Sequence, residues 1–222
     1  MSDGRRDSSG TWQRDHPWAA VYDRISGDPH LGALLWRVGM GSSVEELHRR
    51  ARRELAAVPA GGLPGVGGRG GVGTVLEDDD VLPRHGRGLS PAMLERTRGE
   101  AERLGVAADV ETRVADVEQL ADADETYDLV LTFTSLHCFP DPEAAVHELA
   151  RVLRSGGRLV GSAFCVDAGL LYLPGHRIGR ALGVLGPPVR STEMRSWLVA
   201  AGLVDVRLDR AGALTYFEGT RA

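Results

Sequence analysis

Apolar and polar positions follow a regular pattern from residue 89 to the end of the chain. Residues 128–134 (DLVLTFT) and 158–164 (RLVGSAF) are short β-rich runs, which are typical of strands buried on both faces. Further strands are predicted at 110–116, 203–209 and 213–219. Helices are predicted at 91–104, from 141 to the glycines at 156 and 157, and at 192–201. This alternation predicts an α/β fold with a mostly parallel sheet covered on both faces.

The N-terminal part has a different pattern. Residues 1–14 are polar and predict a tail, whereas 17–59 have helical spacing. Ser43 followed by Glu46 is a capping-box signature that opens a helix towards Val58. The apolar face of this helix is predicted to contain Val44, Leu47, Ala51 and Leu55. The chain is therefore divided into a tail and helical cap segment, 1–58, and a sheet domain, 59–222.

A glycine-rich block at 61–88 interrupts the regular pattern. Residues 60–73 read AGGLPGVGGRGGVG and follow no hydrophobic run that would form a preceding strand. Pro83 and Gly86 interrupt the next strand position, where a proline would remove a ladder hydrogen bond. Two matches to G-x-G-x-x-G can be drawn, through Gly65, Gly67 and Gly70 or through Gly68, Gly70 and Gly73. Such a match indicates a nucleotide site only between a strand and a helix, and the sequence predicts no strand here.

The amino-acid composition excludes several classes of enzyme mechanism. The chain has 222 residues and no lysine, which excludes a Schiff base to pyridoxal phosphate, a P-loop and the Tyr/Lys pair of short-chain reductases. The net charge of −5 argues against nucleic acid as the main partner. Cys138 and Cys165 are expected to be reduced thiols of a cytoplasmic protein. No run approaches the roughly 20 apolar residues of a membrane span, so we expect a soluble protein.

Ligands of a doubly wound sheet bind beyond the carboxyl ends of its strands. Several segments beside these predicted ends resemble the ubiquinone-biosynthesis-like, type 11 branch of the class I methyltransferases. They are LSPAMLERTR at 89–98, VADVEQL at 114–120, the run from YDLVLTFTSLHCF to GGRLV at 127–160, and the C-terminal AGLVDVRL and ALTYFEG. The resemblance implies a Rossmann-like, seven-stranded sheet with an antiparallel last strand. It also implies S-adenosyl-L-methionine as cofactor and a small-molecule methyl acceptor.

The resemblance assigns cofactor contacts position by position. Asp116 would accept a hydrogen bond from the adenine amino group, with Val117 packing beside it. Met93 would press on the adenine ring. The floor under the methionine part would be formed by Thr134, Ser135 and Leu136. The simpler alternatives are an exposed turn residue for Asp116 and an ordinary core methionine for Met93.

The glycine block departs from the family pattern. Family members carry a first strand like V-L-D-x-G-C-G-x-G, whose nearest counterpart here is the set Gly65, Gly67 and Gly70. The acidic residue that holds the ribose hydroxyls falls on Gly88, which has no side chain. One hypothesis is that about residues 62–88 derive from an out-of-frame reading between two compensating shifts. The other is divergence into a protein that has lost cofactor binding.

Candidate catalytic residues are few, because methyl transfer from a sulfonium mainly needs positioning. His137 follows the fourth strand and is the candidate proton acceptor, or else a histidine whose hydrogen bonds are satisfied within the fold. Tyr172 and His176 lie in the insertion that would line the acceptor pocket. The other histidines lack metal-ligand spacing, so no metal site is predicted.

Three functions are candidates for this chain. They are a small-molecule methyltransferase, a catalytically inactive relative that acts as a binding module, and a nicotinamide-dependent oxidoreductase. The last would need a glycine fingerprint after a strand and an acidic ribose anchor about 20 residues on. The block at 61–88 offers neither, so the methyltransferase is preferred. The sequence does not indicate the oligomeric state.

Overall fold

The computed structural model describes residue 37 and residues 41–58, 64–67, 85–88, 91–103, 107–181 and 185–222. Its α-helices are α1 (Val44–Ala56), α2 (Pro91–Arg103), α3 (Pro142–Arg151), α4 (Leu173–Ala181) and α5 (Ser191–Ala200). Its strands are β1 (Pro64–Gly67), β2 (His85–Gly88), β3 (Glu111–Val114), β4 (Tyr127–Thr132), β5 (Leu153–Phe164), β6 (Leu203–Ala211) and β7 (Leu214–Arg221). Short 3-10 helices cover Ala107–Asp109, Leu136–Cys138 and Leu170–Tyr172. The predicted α/β fold is confirmed.

All strands of the described residues form one sheet in the order β3-β2-β1-β4-β5-β7-β6. The pairs from β3 across to β5 are parallel. Strand β7 runs antiparallel to both β5 and β6. From β1 the chain winds outward to β2 and β3, then returns to the other side of β1 with β4 and β5. This reversal makes the sheet doubly wound and Rossmann-like, with its topological switch point between β1 and β4.

Two short strands lie inside the glycine-rich block, which corrects the expectation that this block forms no strand. Strand β1 places Val66 opposite Gly86 of β2 on one side and Leu131 of β4 on the other. Gly86 also pairs with Thr112 of β3, so it lies within a central ladder and does not interrupt it. The backbone of neighbouring strands thus holds both segments in place, although neither has an apolar run of its own.

The glycine pair at 156 and 157 lies in strand β5, although the sequence predicts that it closes the preceding helix. Helix α3 ends at Arg151, and β5 begins two residues later. Leu153 pairs with Tyr127, and Arg158 pairs with Leu129. Four residues therefore bulge out between these pairs, opposite one residue of β4. Gly156 has φ +79° in this bulge, which is a conformation that glycine adopts without steric cost.

Apolar side chains pack on both faces of the sheet. Helix α1 covers one face, where Leu47, Ala51 and Leu55 are buried as predicted, in one cluster with Leu129 and Leu131 of β4. Helices α3 and α5 cover the opposite face through a second cluster that includes Val146, Leu149, Met194 and Leu198. The two layers hold the strands rigidly and leave their carboxyl ends as the place for a site. The side chain of Val44 lies outside the described part.

Two predicted helix starts have different outcomes. Asp141 caps α3, because its Oδ1 accepts a hydrogen bond from the backbone N–H of Ala144 at 3.0 Å. Ser43 is the N-cap of α1, but its side chain makes no capping hydrogen bond. Glu46 instead pairs with Arg50, one helical turn away, so the predicted capping box does not form. None of the helices described is long and apolar enough to cross a membrane.

Candidate functional site

The parallel strands bring the predicted site segments to one edge of the sheet. Strands β1 to β5 end at Gly67, Gly88, Val114, Thr132 and Phe164. Because all five run in the same direction, the segments that follow them meet at the carboxyl edge. The switch point between β1 and β4 lies at this edge, which is where doubly wound sheets take ligands.

Asp116 lies two residues beyond the end of β3, in a loop that the rest of the fold fixes. Its Oδ1 accepts a hydrogen bond from the N–H of Glu118 at 3.0 Å, which forms a tight turn. The side chain is exposed. Oδ2 has no hydrogen-bond partner among the described residues, so it can accept one from a ligand. Val117 is 2% exposed and packs into the core, which anchors the turn.

The residues after β4 form a second fixed turn. Thr134 has φ +51°, a left-handed conformation that is costly for a β-branched residue. Its N–H donates to the hydroxyl of Ser162 on β5 at 3.1 Å, and this bond holds the strained backbone. Ser135 and Leu136 are fully buried, and the Ser135 hydroxyl donates to the carbonyl of Phe133 at 2.8 Å.

The glycine candidates are only partly described. Gly65 and Gly67 are strand residues of β1, where Gly65 pairs with His85 and Gly67 with Arg87. Gly70 lies outside the described residues, as do the acidic run at 77–80 and Pro83. Gly88 ends β2, and its carbonyl accepts a hydrogen bond from the N–H of Ala115 at 3.1 Å. Helix α2 includes Met93, whose side chain is likewise outside the described part.

His137 is a buried residue with one nitrogen already engaged. It lies in the 3-10 turn after β4 and is 7% exposed. Its Nδ1 accepts a hydrogen bond from the N–H of Phe164 at 3.0 Å. Burial, with a smaller contribution from nearby His176, lowers the pKa of His137 to about 3. The neutral ring therefore carries its proton on Nε2, and proton acceptance there requires a change of tautomer.

A second buried histidine lies close by. His176 of α4 stacks on Phe164 with ring centroids 5.7 Å apart and an interplanar angle of 19°. It is 4% exposed, and no group in the described part of the chain bonds to its buried Nε2. Burial and then Arg180 lower the pKa of His176. Tyr172 meets Phe164 edge to face at 6.4 Å. This cluster is the wall that α4 contributes beside the end of β5.

Two polar residues to which the sequence assigned no role, Ser162 and Asp167, support this edge. Ser162 holds the turn at Thr134, and its signal was a hydroxyl near the end of a buried strand. Asp167 accepts hydrogen bonds from the N–H of Ser191 at 3.1 Å and from its hydroxyl at 2.5 Å. Burial alone would raise the pKa of Asp167, but these hydrogen bonds outweigh it and the pKa is lowered. Asp167 thus fixes the start of α5, and no sequence signal links residues this far apart.

Residues 69–161 match a family described as methyltransferase domain. The matched range includes β2, α2, β3, β4, α3 and the first part of β5. It therefore contains Asp116, Val117 and the turn at 133–136. The match shows that this stretch, which is less than half of the chain, is similar to a methyltransferase domain.

Two curated relatives are similar over different lengths. A phosphatidylethanolamine N-methyltransferase of Cereibacter sphaeroides is 35% identical over 99 residues, which are 44% of this chain and 49% of the relative. A 2-methyl-6-phytyl-1,4-hydroquinone methyltransferase of Oryza sativa subsp. japonica is 28% identical over 206 residues, 88% of this chain and 51% of the relative. The chain thus spans about half the length of these two relatives.

A solved structure has the same fold over nearly the whole chain. It is an S-adenosylmethionine-dependent methyltransferase of Thermotoga maritima, described as a possible histamine N-methyltransferase. The identity is 18%, the TM-score is 0.65, and the match covers 97% of this chain and 100% of that one. At this identity the similarity shows the fold.

Proposed function

We propose that this chain is a class I methyltransferase that uses S-adenosyl-L-methionine to methylate a small molecule. The observation that carries the proposal is a coincidence of two findings. The methyltransferase-domain match includes the strands whose carboxyl ends bring Asp116, Val117 and the turn at 134–136 to one edge of the sheet. The fold similarity to an S-adenosylmethionine-dependent enzyme supports the same cofactor.

The residues present fit two parts of this cofactor. The open Oδ2 of Asp116 suits the amino group of the adenine, and buried Val117 holds the turn that presents it. The backbone turn at Thr134, stabilised by Ser162, suits the methionine part. The ribose contact is different, because β2 ends in Gly88 and no carboxylate follows it among the described residues. Asp116 and the turns after β3 and β4 would therefore hold the cofactor without an acidic anchor from β2.

When bound, the cofactor supplies a methyl group on a positively charged sulfur. The chain's own task is then to hold the nucleophile in line with that methyl group and to exclude water. His137 offers Nε2–H as a hydrogen-bond donor, and His176 offers a buried nitrogen that has no hydrogen-bond partner in the described part of the chain. We assign the positioning of the acceptor's polar group to His176. The role of His137 as a base stays a prediction.

The acceptor class that we propose is amphiphilic, with a polar head and an apolar chain. The curated relatives named above act, by their names, on a phospholipid and on a phytyl hydroquinone. The wall at α4 also has a polar and an apolar part. The polar part is the buried Nε2 of His176, and the apolar part is the aromatic ring of Phe164, on which His176 stacks. Replacing His176 with Phe keeps the ring stack and removes the nitrogen. Turnover of an acceptor found by screening should then be lost while cofactor binding is retained.

Thermal unfolding with and without S-adenosylhomocysteine tests the proposal. A ligand at 100 times its Kd stabilises the folded state by roughly 2.7 kcal/mol. For a chain of this size we expect the midpoint to rise by about 5–10 °C. Asp116→Asn keeps the turn at Glu118 but turns an acceptor into a donor towards the adenine amino group. Its affinity should fall about tenfold, since one charge-assisted hydrogen bond contributes roughly 1.5 kcal/mol.

Glu102→Gln is the matched control, because Glu102 is an exposed carboxylate on α2 that takes no part in the site. It should keep the full shift. A cooperative transition without any shift in the wild-type chain would contradict cofactor binding and leave the inactive relative as the explanation. A shift that Asp116→Asn leaves unchanged would contradict the adenine contact alone.

A further inference from the structure

Large apolar side chains are exposed in one short segment beside the site. Leu170 is 85% exposed, Leu171 is 82% exposed and Ile178 is 60% exposed. They account for three of the six large apolar side chains that are exposed in the described part of the chain. Single exposed apolar residues are ordinary on soluble proteins, but a cluster marks an interaction surface. We call residues 170–181 the apolar edge segment.

The opposite side of this segment is packed against the protein. His176 and Tyr172 contact Phe164 at the end of β5, and both are partly or fully buried. Leu171 lies in the 3-10 turn that precedes α4, Ile178 lies on α4, and both side chains are exposed. The exposure is therefore a property of a fixed face. A segment held in this way cannot bury its leucines by turning over without breaking the contacts to Phe164.

The charges of the segment have one sign. No acidic residue occurs between 168 and 192, whereas Arg177, Arg180 and Arg190 do. Arg177 and Arg180 are exposed on the apolar edge segment itself. The chain as a whole has a net charge of −5, so the basic character is local. Exposed leucines flanked by arginines match a surface that is anionic outside and apolar beneath, which is the chemistry of an anionic lipid layer.

We propose that residues 170–181 dock this edge of the protein on an anionic lipid surface. The leucines and Ile178 enter the boundary between headgroups and acyl chains, and the arginines contact the phosphate groups. Helix α4 also packs His176 on Phe164 at the end of β5. Docking would therefore place this carboxyl edge of the sheet beside the lipid. An amphiphilic acceptor then reaches the site without crossing water, and this last clause alone rests on the function proposed above.

Co-sedimentation of the full chain with vesicles tests the docking. We expect binding to phosphatidylcholine vesicles that contain phosphatidylglycerol, weaker binding to phosphatidylcholine alone, and a decrease with added salt. Leu170→Ser combined with Leu171→Ser should lower the partition coefficient by at least tenfold. Arg177→Gln and Arg180→Gln should each lower it roughly fivefold, and only on anionic vesicles.

Val199→Ser and Val204→Ser are the matched controls, because these valines are 55% and 48% exposed on α5 and β6. They should bind vesicles like the wild type. Wild-type chain that stays in the supernatant with anionic vesicles would overturn the proposal. So would a leucine variant that binds as well as the valine controls, or self-association that the leucine changes abolish without any lipid binding. Thermal unfolding with S-adenosylhomocysteine, run on the same samples, reports separately on the function proposed above.

Discussion

A charged pair is buried where the β2 strand of a doubly wound sheet would ordinarily place an apolar residue. The Arg87 side chain is 4% exposed and donates to the carboxylate of Asp122, with nitrogen–oxygen distances of 2.8 and 3.1 Å. Tyr127 donates its hydroxyl to the same carboxylate at 2.7 Å. Burial would raise the pKa of Asp122, but the hydrogen bonds from Arg87 and Tyr127 outweigh it and the pKa is lowered. The carboxylate is thus held ionised in the interior.

Removing one partner of this pair should be far more harmful than removing both. Asp122→Leu removes the buried counter-charge of the Arg87 guanidinium and leaves it only the half-exposed Glu111 at 3.3 Å, and we expect a loss of about 3 kcal/mol in the free energy of unfolding. Arg87→Leu with Asp122→Leu should recover most of that loss, because neither charge remains to be desolvated. Urea unfolding followed by circular dichroism measures both. Arg113→Leu, an exposed arginine on β3, is the control and should change stability by less than about 1 kcal/mol. Equal losses in the single and double variants would contradict the account.

At the scale of elements, the long apolar strands were predictable and the short central ones were not. The core of β4 and the end of β5 agree with the predicted 128–134 and 158–164 to within two residues. Strands β1 and β2 read PGVG and HGRG, in which Val66 is the one residue that favours a strand. Their conformation is set by hydrogen bonds to β3 and β4 across the sheet. Pairing between strands far apart in sequence is what a local pattern cannot report.

Gly161 of strand β5 is a position where the neighbouring strands leave no space for a side chain. A Cβ at Gly161 would clash with the carbonyl oxygen of Thr132, and would lie 2.5 Å from Cζ of Phe217 and 2.8 Å from Cγ2 of Thr132. Side chains essentially never approach this closely. The absence of a side chain at Gly161 therefore lets β4, β5 and β7 pack together. The sequence showed a glycine in a strand, which indicates close approach without naming the partner.

Gly161→Ala and Gly99→Ala should change stability in opposite directions. The added methyl group at Gly161 must displace the β4 backbone, so we expect a loss of about 1–3 kcal/mol. Gly99 lies within α2, and nothing lies within 4 Å of a Cβ built there. There the alanine should raise the free energy of unfolding by about 0.5–1 kcal/mol, because alanine favours the helix. Urea midpoints of the two variants measure the difference. A neutral Gly161→Ala would show that β4 and β7 yield without cost.

At the scale of the whole molecule, the edge of the sheet at which the candidate residues lie was predictable, whereas their contacts with a cofactor stay a prediction. Both the resemblance and the strand pattern placed Asp116, Val117 and residues 134–136 after strands. In the structure these residues do follow the carboxyl ends of β3 and β4. The buried contacts around them come from distant segments, as Ser162 and Phe164 show. The orphaned nitrogen of His176 depends on how α4 lies against β5, which composition and periodicity do not encode. The sequence therefore predicted which segments lie at the carboxyl edge of the sheet, whereas tertiary packing determines the hydrogen bonds and burial of the residues there.

Burial of histidines should make the folded state sensitive to mild acid. The pKa values of His48, His85, His137 and His176 are all lowered, with burial as the largest cause. A folded pKa below the unfolded value of about 6.5 means that the unfolded chain binds the proton first. Stability is then full above pH 6.5 and falls as the pH drops towards the folded pKa. The carboxylates of Asp122, Glu148 and Asp167 have lowered pKa values too, but their contribution is lost only below about pH 4.5.

His137→Asn isolates the largest of these contributions. Asn places an oxygen near the position of Nδ1, where it can accept the N–H of Phe164, and it does not titrate. With the pKa of His137 at about 3, the wild type should lose about 2 kcal/mol between pH 7 and pH 5 through this residue. Thermal unfolding across that range should show a slope that is flatter in His137→Asn and unchanged in His147→Asn, an exposed histidine on α3. Parallel curves for all three chains would mean that the His137 ring takes up a proton without unfolding. The tautomer assigned from the Phe164 hydrogen bond would then be wrong, and the result would support the prediction that His137 acts as a base.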